Sequence, residues 1–207
     1  MNSFSLRVAC ATAVLAMVCA PTAAGAQSLS ASLAQWGLDP QALVMDGQAL
    51  LARAPDSAID GLFQAVHASA QEPTEAEALC ALFDPAADRS LAGLNAVAAR
   101  LGPASRDRFA TAVAEAFVAA AQSPPRPLDE GLAQQQLKAA GVRAALQDEG
   151  FVAGLNGQDH GARCRSVRSL LDVLQQRPLA ERSSVVRLLL SQGLNYVALA
   201  DGSAAGP

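Results

Sequence analysis

Residues 163–192 read RCRSVRSLLDVLQQRPLAERSSVVRLLLSQ, and this stretch decides the fold class. Val167, Leu170, Leu171 and Leu174 recur at spacings of three and four, the period that stacks side chains on one face of an α-helix. Arg177-Pro178 then interrupts the pattern, because proline has no N–H to donate and turns the residue before it away from helical geometry. Apolar spacing resumes at Leu179, Val186, Leu189 and Leu190, so the stretch predicts two antiparallel helices joined by a tight turn. Leu188-Leu189-Leu190 is apolar on too many sides for a surface helix, which predicts a central position for the last one.

Upstream the same punctuation repeats. Asp39-Pro40 and Pro55-Asp56-Ser57 place caps and early prolines before apolar-periodic runs, and Thr74-Glu75-Ala76-Glu77 has the form of a capping box. Asp84-Pro85 separates the Leu79 to Phe83 segment from a helix with Leu91, Leu94, Val97 and Leu101. Ser105 is the expected cap of a long helix with Phe109, Val113, Ala116, Phe117 and Ala120 inward and Arg106, Arg108 and Glu115 outward. Ser123-Pro124-Pro125-Arg126-Pro127 cannot be helical and forms a rigid break. Beyond it, Asp129 to Ala140 and Val142 to Glu149 read as two short helices split at Gly141, followed by a loop from Asn156 to Gly161. The expected fold is an all-α, compact bundle of about seven to nine helices with a Pro-rich break near 123–127. A triplet, Gly-Leu-Asn, recurs at Gly93, Gly154 and Gly193, but no solenoid consensus accompanies it.

Composition agrees. The chain has 207 residues, 51% hydrophobic and 16% charged, and roughly a quarter are alanine, which is too apolar for disorder and rich in helix formers. Alanine-rich helices pack closely.

The amino terminus reads as an address rather than structure. Arg7 precedes an uncharged apolar run from Val8 to Ala20, Pro21 breaks it, and Ala24-Gly25-Ala26 matches a signal-peptidase site. Cleavage after Ala26 leaves a single helical domain at 27–200, with sub-halves 27–122 and 128–200, and a flexible tail at 201–207. The apolar run is too short to span a membrane, and no transmembrane segment remains after cleavage. With one lysine, Lys138, among 15 basic residues, the composition suggests a bacterial genome and hence the periplasm or the medium.

Removing residues 1–26 removes Cys10 and Cys19, leaving Cys80 and Cys164 in a compartment that oxidises thiols. The natural reading is one disulfide, with two buried thiols as the alternative.

Candidate chemistry is sparse. His160 and Cys164 stand four apart, a spacing suited to a zinc pair or a thiolate with its base, yet a structural zinc site needs four ligands and the other histidine is His67. Asp159 beside His160 lacks a Gly-x-Ser-x-Gly elbow to complete a hydrolase triad. Glu72, Glu75, Glu77 and Asp84 read as solvated first-turn residues favoured by the helix dipole, and 4% aromatic content disfavours a carbohydrate cleft. No metal, cofactor or catalytic residue is expected. Arg163, Arg165, Arg168, Arg177, Arg182 and Arg187 spread over the last two helices as a candidate partner or anion surface, with internal salt bridges as the competing use.

Two functions fit. The first is a non-catalytic periplasmic module that binds another envelope or secreted protein, with an exposed apolar patch near Trp36 and Phe151 as its sign. The second is a carrier of a small apolar ligand or lipid in a cavity lined by Phe63, Phe83, Phe109 and Phe117. The unknown protein partner is expected in the cell envelope. Nucleic acid is not, because the chain is acidic at net charge -4, and peripheral membrane contact is a further option.

Overall fold

The computed structural model describes residues 40–84 and 86–204. The expected signal peptide, Trp36 and residues 205–207 lie outside that range. Among the described residues there are nine α-helices and no strand: α1 (Pro40–Arg53), α2 (Asp56–Gln71), α3 (Pro73–Cys80), α4 (Leu91–Ala99), α5 (Pro103–Ala121), α6 (Glu130–Gln147), α7 (Phe151–Asn156), α8 (His160–Gln175) and α9 (Leu179–Ala204). A 3₁₀ turn over Ala81–Phe83 continues α3.

Short polar side chains start several of these helices by satisfying N–H groups that have no partner inside the helix. Ser90 accepts from Gly93 N at 3.1 Å, Asp129 from Leu132 N at 2.9 Å and Asp159 from Ala162 N at 2.6 Å. The capping box expected at Thr74 is not made. α3 begins one residue earlier, at Pro73, whose missing N–H costs nothing in the first turn, and Glu75 turns elsewhere. α5 likewise starts at Pro103 with Gly102 as its cap residue, so Ser105 lies inside the helix.

The main core draws on both sides of the proline break. Leu51, Ile59, Phe63 and Ala120 come from α1, α2 and α5, while Ala140, Phe151, Val173, Leu174, Val185 and Val186 come from α6 to α9. The stretches 40–122 and 128–204 therefore both contribute to one core cluster. The break itself is tied down, with Arg126 N donating to Ala52 O at 2.7 Å. A smaller cluster of Ala70, Ala78, Leu79 and Leu101 gathers Val97 and Phe109, and Leu171 packs against both. The central last helix is as expected, since α9 packs on α1, α2 and α6, although Leu189 faces outward and the helix continues through the expected tail to Ala204.

Two helices differ from their sequence patterns. α5 buries Ala110, Ala112, Ala114 and Ala120 together with Arg106, and leaves Phe117 and Val118 outside. With alanine at so many positions, several faces of this helix satisfy the apolar period, and close approach to α2 selects the smallest one.

The break expected at Gly141 is absent, and α6 runs through it as one helix. Ala133, Leu137, Ala140 and Ala144 keep one continuous face on the core. That packing outweighs the ~1 kcal/mol by which glycine disfavours a helix interior. A Cβ added at Gly141 would meet nothing within 4 Å. Gly141→Ala is expected to raise the unfolding free energy by about 0.5–1 kcal/mol, read as a higher urea midpoint at unchanged slope.

Candidate functional site

The arginines of α8 and α9 reach inward to the ends of other helices. Arg187 is buried and donates to the carbonyls of Leu51 and of Ala54, the latter at 2.8 Å, and to Asp56 Oδ1 at 3.2 Å. One guanidinium thus closes α1 and fastens the start of α2. Arg182 donates to Asp60 Oδ1 at 2.6 Å and to the Gln175 and Arg177 carbonyls at the end of α8, while stacking 5.5 Å from the Phe63 ring centre. Arg163, also buried, reaches Asp84 Oδ2 at 2.8 Å and Gly157 O at 2.7 Å, and Arg177 pairs with Glu181 one turn on. The continuous basic surface expected from six arginines is therefore not formed. Four of them satisfy carbonyls and carboxylates within the bundle, and Arg165 and Arg168 alone of the six make no such bond among the described residues.

Cys80 and Cys164 are joined by a disulfide with Cα atoms 5.1 Å apart, pinning the end of α3 to the second turn of α8. Cys164 therefore offers no thiolate to His160. The nearby Asp84 carboxylate accepts from Ala86 N at 2.9 Å. That bond, with the Arg163 guanidinium and the charge of His160, holds its pKa below the ordinary value despite partial desolvation.

Glu75 corrects the reading of the acidic cluster. It is buried, not solvated: Oε1 accepts from Gly102 N at 2.8 Å and Oε2 from Ser105 Oγ at 2.6 Å, so a first-turn carboxylate of α3 caps the start of α5. Arg108 Nη2 donates to Ser105 Oγ at 2.7 Å behind it. Burial pushes the Glu75 pKa up, but the bonds from Ser105 and Gly102, with the charge of Arg108, outweigh it, leaving the group below its ordinary value. A carboxylate more acidic in the folded state stabilises fully above its unfolded pKa and loses that contribution as pH falls through the folded one. Urea midpoints measured from pH 7 down should show wild-type stability eroding from about pH 5. Glu75→Gln should flatten part of that acid limb and lower neutral-pH stability by about 1–2 kcal/mol.

A polar seam runs between α2 and the α8–α9 hairpin. Asp60, Gln64, His67 and Gln71 follow one stripe of α2 and meet Arg182, Gln175 and Asp172. His67 Nε2 lies 2.9 Å from Asp172 Oδ1, and its ring stacks on Phe63 at 5.8 Å. The polar side chains that His67 meets are the Asp172 carboxylate and the Gln71 amide, which orient the imidazole. Among the described residues, no group of three or more His, Cys, Asp or Glu is placed to hold a metal ion, and no helix is long and apolar enough to cross a membrane.

Where α7 crosses α8 there is an open cleft of about 230 Å³, bordered by Asp148, Gly150, Gly154, Arg165 and Ser166. A Cβ at Gly154 would lie 2.3 Å from Ser166 Oγ and 2.7 Å from Ala162 O, so the glycine is there to let the two helices touch. The cleft is smaller than the ~300 Å³ at which small-molecule pockets begin. The four phenylalanines expected around a cavity are dispersed. Phe63 is in the main core and Phe109 packs on the smaller cluster, while Phe83 and Phe117 are 47% and 37% exposed. Phe151 is buried and belongs to no surface patch.

The surface that stands out is the outer side of α6. This helix is apolar twice: Ala133, Leu137, Ala140 and Ala144 face the core, while Leu132, Val142 and Leu146 on the opposite side are 47%, 62% and 84% exposed. Gln135 and Ala139, also exposed, complete the stripe between them. Splitting α6 at Gly141 hides it from a sequence reading, because the register from 132 to 146 exists only in a continuous helix. No family model, curated protein or solved structure matches this chain.

Proposed function

We propose that this chain is an exported, disulfide-stapled helical module that binds another protein through the outer face of α6. The observation that carries the reading is the second apolar stripe. Single exposed aliphatics are ordinary, but Leu132, Val142 and Leu146 are aligned on one helix opposite its buried side. Burying a fully exposed leucine is worth roughly 1.5–3 kcal/mol, so a partner covering this stripe gains a useful binding free energy. Export is supported by the charged, apolar and Ala24-Gly25-Ala26 segments of the first 26 residues, and the Cys80–Cys164 bond suits an oxidising compartment.

The test is site-directed photo-crosslinking in cells. A photoreactive residue at 146 should give a discrete adduct with a second protein, and one at Glu115, exposed on α5, should not. No adduct from 142 or 146, or equal adducts from 115, would overturn the proposal. The mature chain recovered from the same cells should begin at Gln27.

A further inference from the structure

We infer that the occupant of the α6 face is an acidic amphipathic helix of another protein, laid along α6 as in a short two-stranded coiled coil. This rests on the binding-module reading and adds the chemistry of the partner. The outer stripe has heptad spacing: Leu132, Ala139 and Val142, Leu146 alternate with Gln135 at steps of three and four, as the a and d positions of a coiled-coil seam do. A helix already held by its other face meets a partner without first having to form, and so a seam of about two heptads suffices.

Charge decides what kind of helix fits. The positions beside the seam are Lys138 on one side and Arg143 on the other, both exposed, and no acidic residue lies between Gly131 and Gln147. This basic margin stands on a chain of net charge -4, and Lys138 is its one lysine. In a parallel pair of two copies, Lys138 would face Arg143 of the other copy. In an antiparallel pair, each would face its own counterpart. Both arrangements set like charges together and work against self-pairing. Glutamate or aspartate flanking a partner's seam would instead meet both cations. A lipid surface is a poorer match, since interfacial helices carry bulky aromatics and many basic residues, and this stripe has neither.

Two synthetic three-heptad peptides test this by fluorescence anisotropy, both with leucine at a and d, one flanked by glutamate and one by lysine. The acidic peptide should bind and the basic one should bind at least about tenfold more weakly. Leu146→Glu should abolish binding, and Lys138→Glu with Arg143→Glu should reverse the preference. Circular dichroism and thermal melts should leave Leu146→Glu folded, since the side chain is 84% exposed. Equal binding of both peptides, binding of neither, or binding unaffected by Leu146→Glu would overturn the inference. So would a dimer of the protein alone that Leu146→Glu dissolves, which assigns the face to a second copy. Leu146-dependent sedimentation with phosphatidylglycerol vesicles would assign it to lipid. A crosslink from position 146 without peptide binding defeats the acidic helix and leaves the module standing, whereas absence of any crosslink defeats the module.

Discussion

Replacing Cys80 and Cys164 together by alanine is expected to lower the unfolding free energy by about 4 kcal/mol. Closing a loop between residues 84 apart removes ~4.5 kcal/mol of conformational entropy from the unfolded chain. That is a large share of the 5–15 kcal/mol typical of a domain, and corresponds to a fall in Tm on the order of 10 °C. Urea denaturation of the double variant and of the wild type under reducing agent should give the same midpoint, because each removes the same constraint. The native contacts around the bond, α3 against α8, survive in both, so the folded spectrum should not change. A loss below about 1 kcal/mol would show that the unfolded chain keeps these two segments together without the bond.

Arg187→Met should cost about 3 kcal/mol by a different route. The methionine replaces the aliphatic stem with apolar atoms but has no guanidinium, so the carbonyls of Leu51 and Ala54 lose their donor in a buried setting, and each such orphan costs about 1–3 kcal/mol. Replacing a whole buried ion pair with apolar groups is often harmless, whereas removing one partner is not. Arg187→Lys should fall between, because a single ammonium cannot span two carbonyls and Asp56 as the guanidinium does. Denaturation at low and high salt should give the same loss, since the site is shielded from mobile ions. A Met variant within about 0.5 kcal/mol of the wild type would mean the α1 carbonyls find another donor.

The parts of this fold that a linear reading captures are those with local causes. Pro40 and Pro178 stand at helix starts as expected, Asp129 opens the helix read from it, and the Pro124–Pro127 segment breaks the chain for reasons contained in the prolines themselves. The disulfide was legible because two cysteines remain once residues 1–26 are set aside. What escaped depends on distant partners. Glu75 looks like a capping-box neighbour, but its acceptor oxygens meet Gly102 and Ser105, 27 and 30 residues away. The arginines of α8 and α9 look like a surface because nothing local says that the carbonyl end of α1 lies beneath Arg187. Gly141 and Gly154 are the same residue in helices, yet one faces open space and the other touches Ala162, a difference set wholly by packing. The candidate docking face followed the fate of Gly141: read as a break, it concealed a stripe that a single helix makes plain.

The closure of α1 by Arg187 also has a temporal meaning. The donor lies 136 residues after Leu51, and Val185 and Val186 on the same helix fill the core that α1 and α2 begin. Long-range contacts of this kind form late, because the intervening chain must first be brought together. The first helices made therefore have no finished surface to settle on until the last one has been synthesised. For a polypeptide proposed to be exported, that delay holds the early helices open until the last one arrives, and the same contacts then complete the fold.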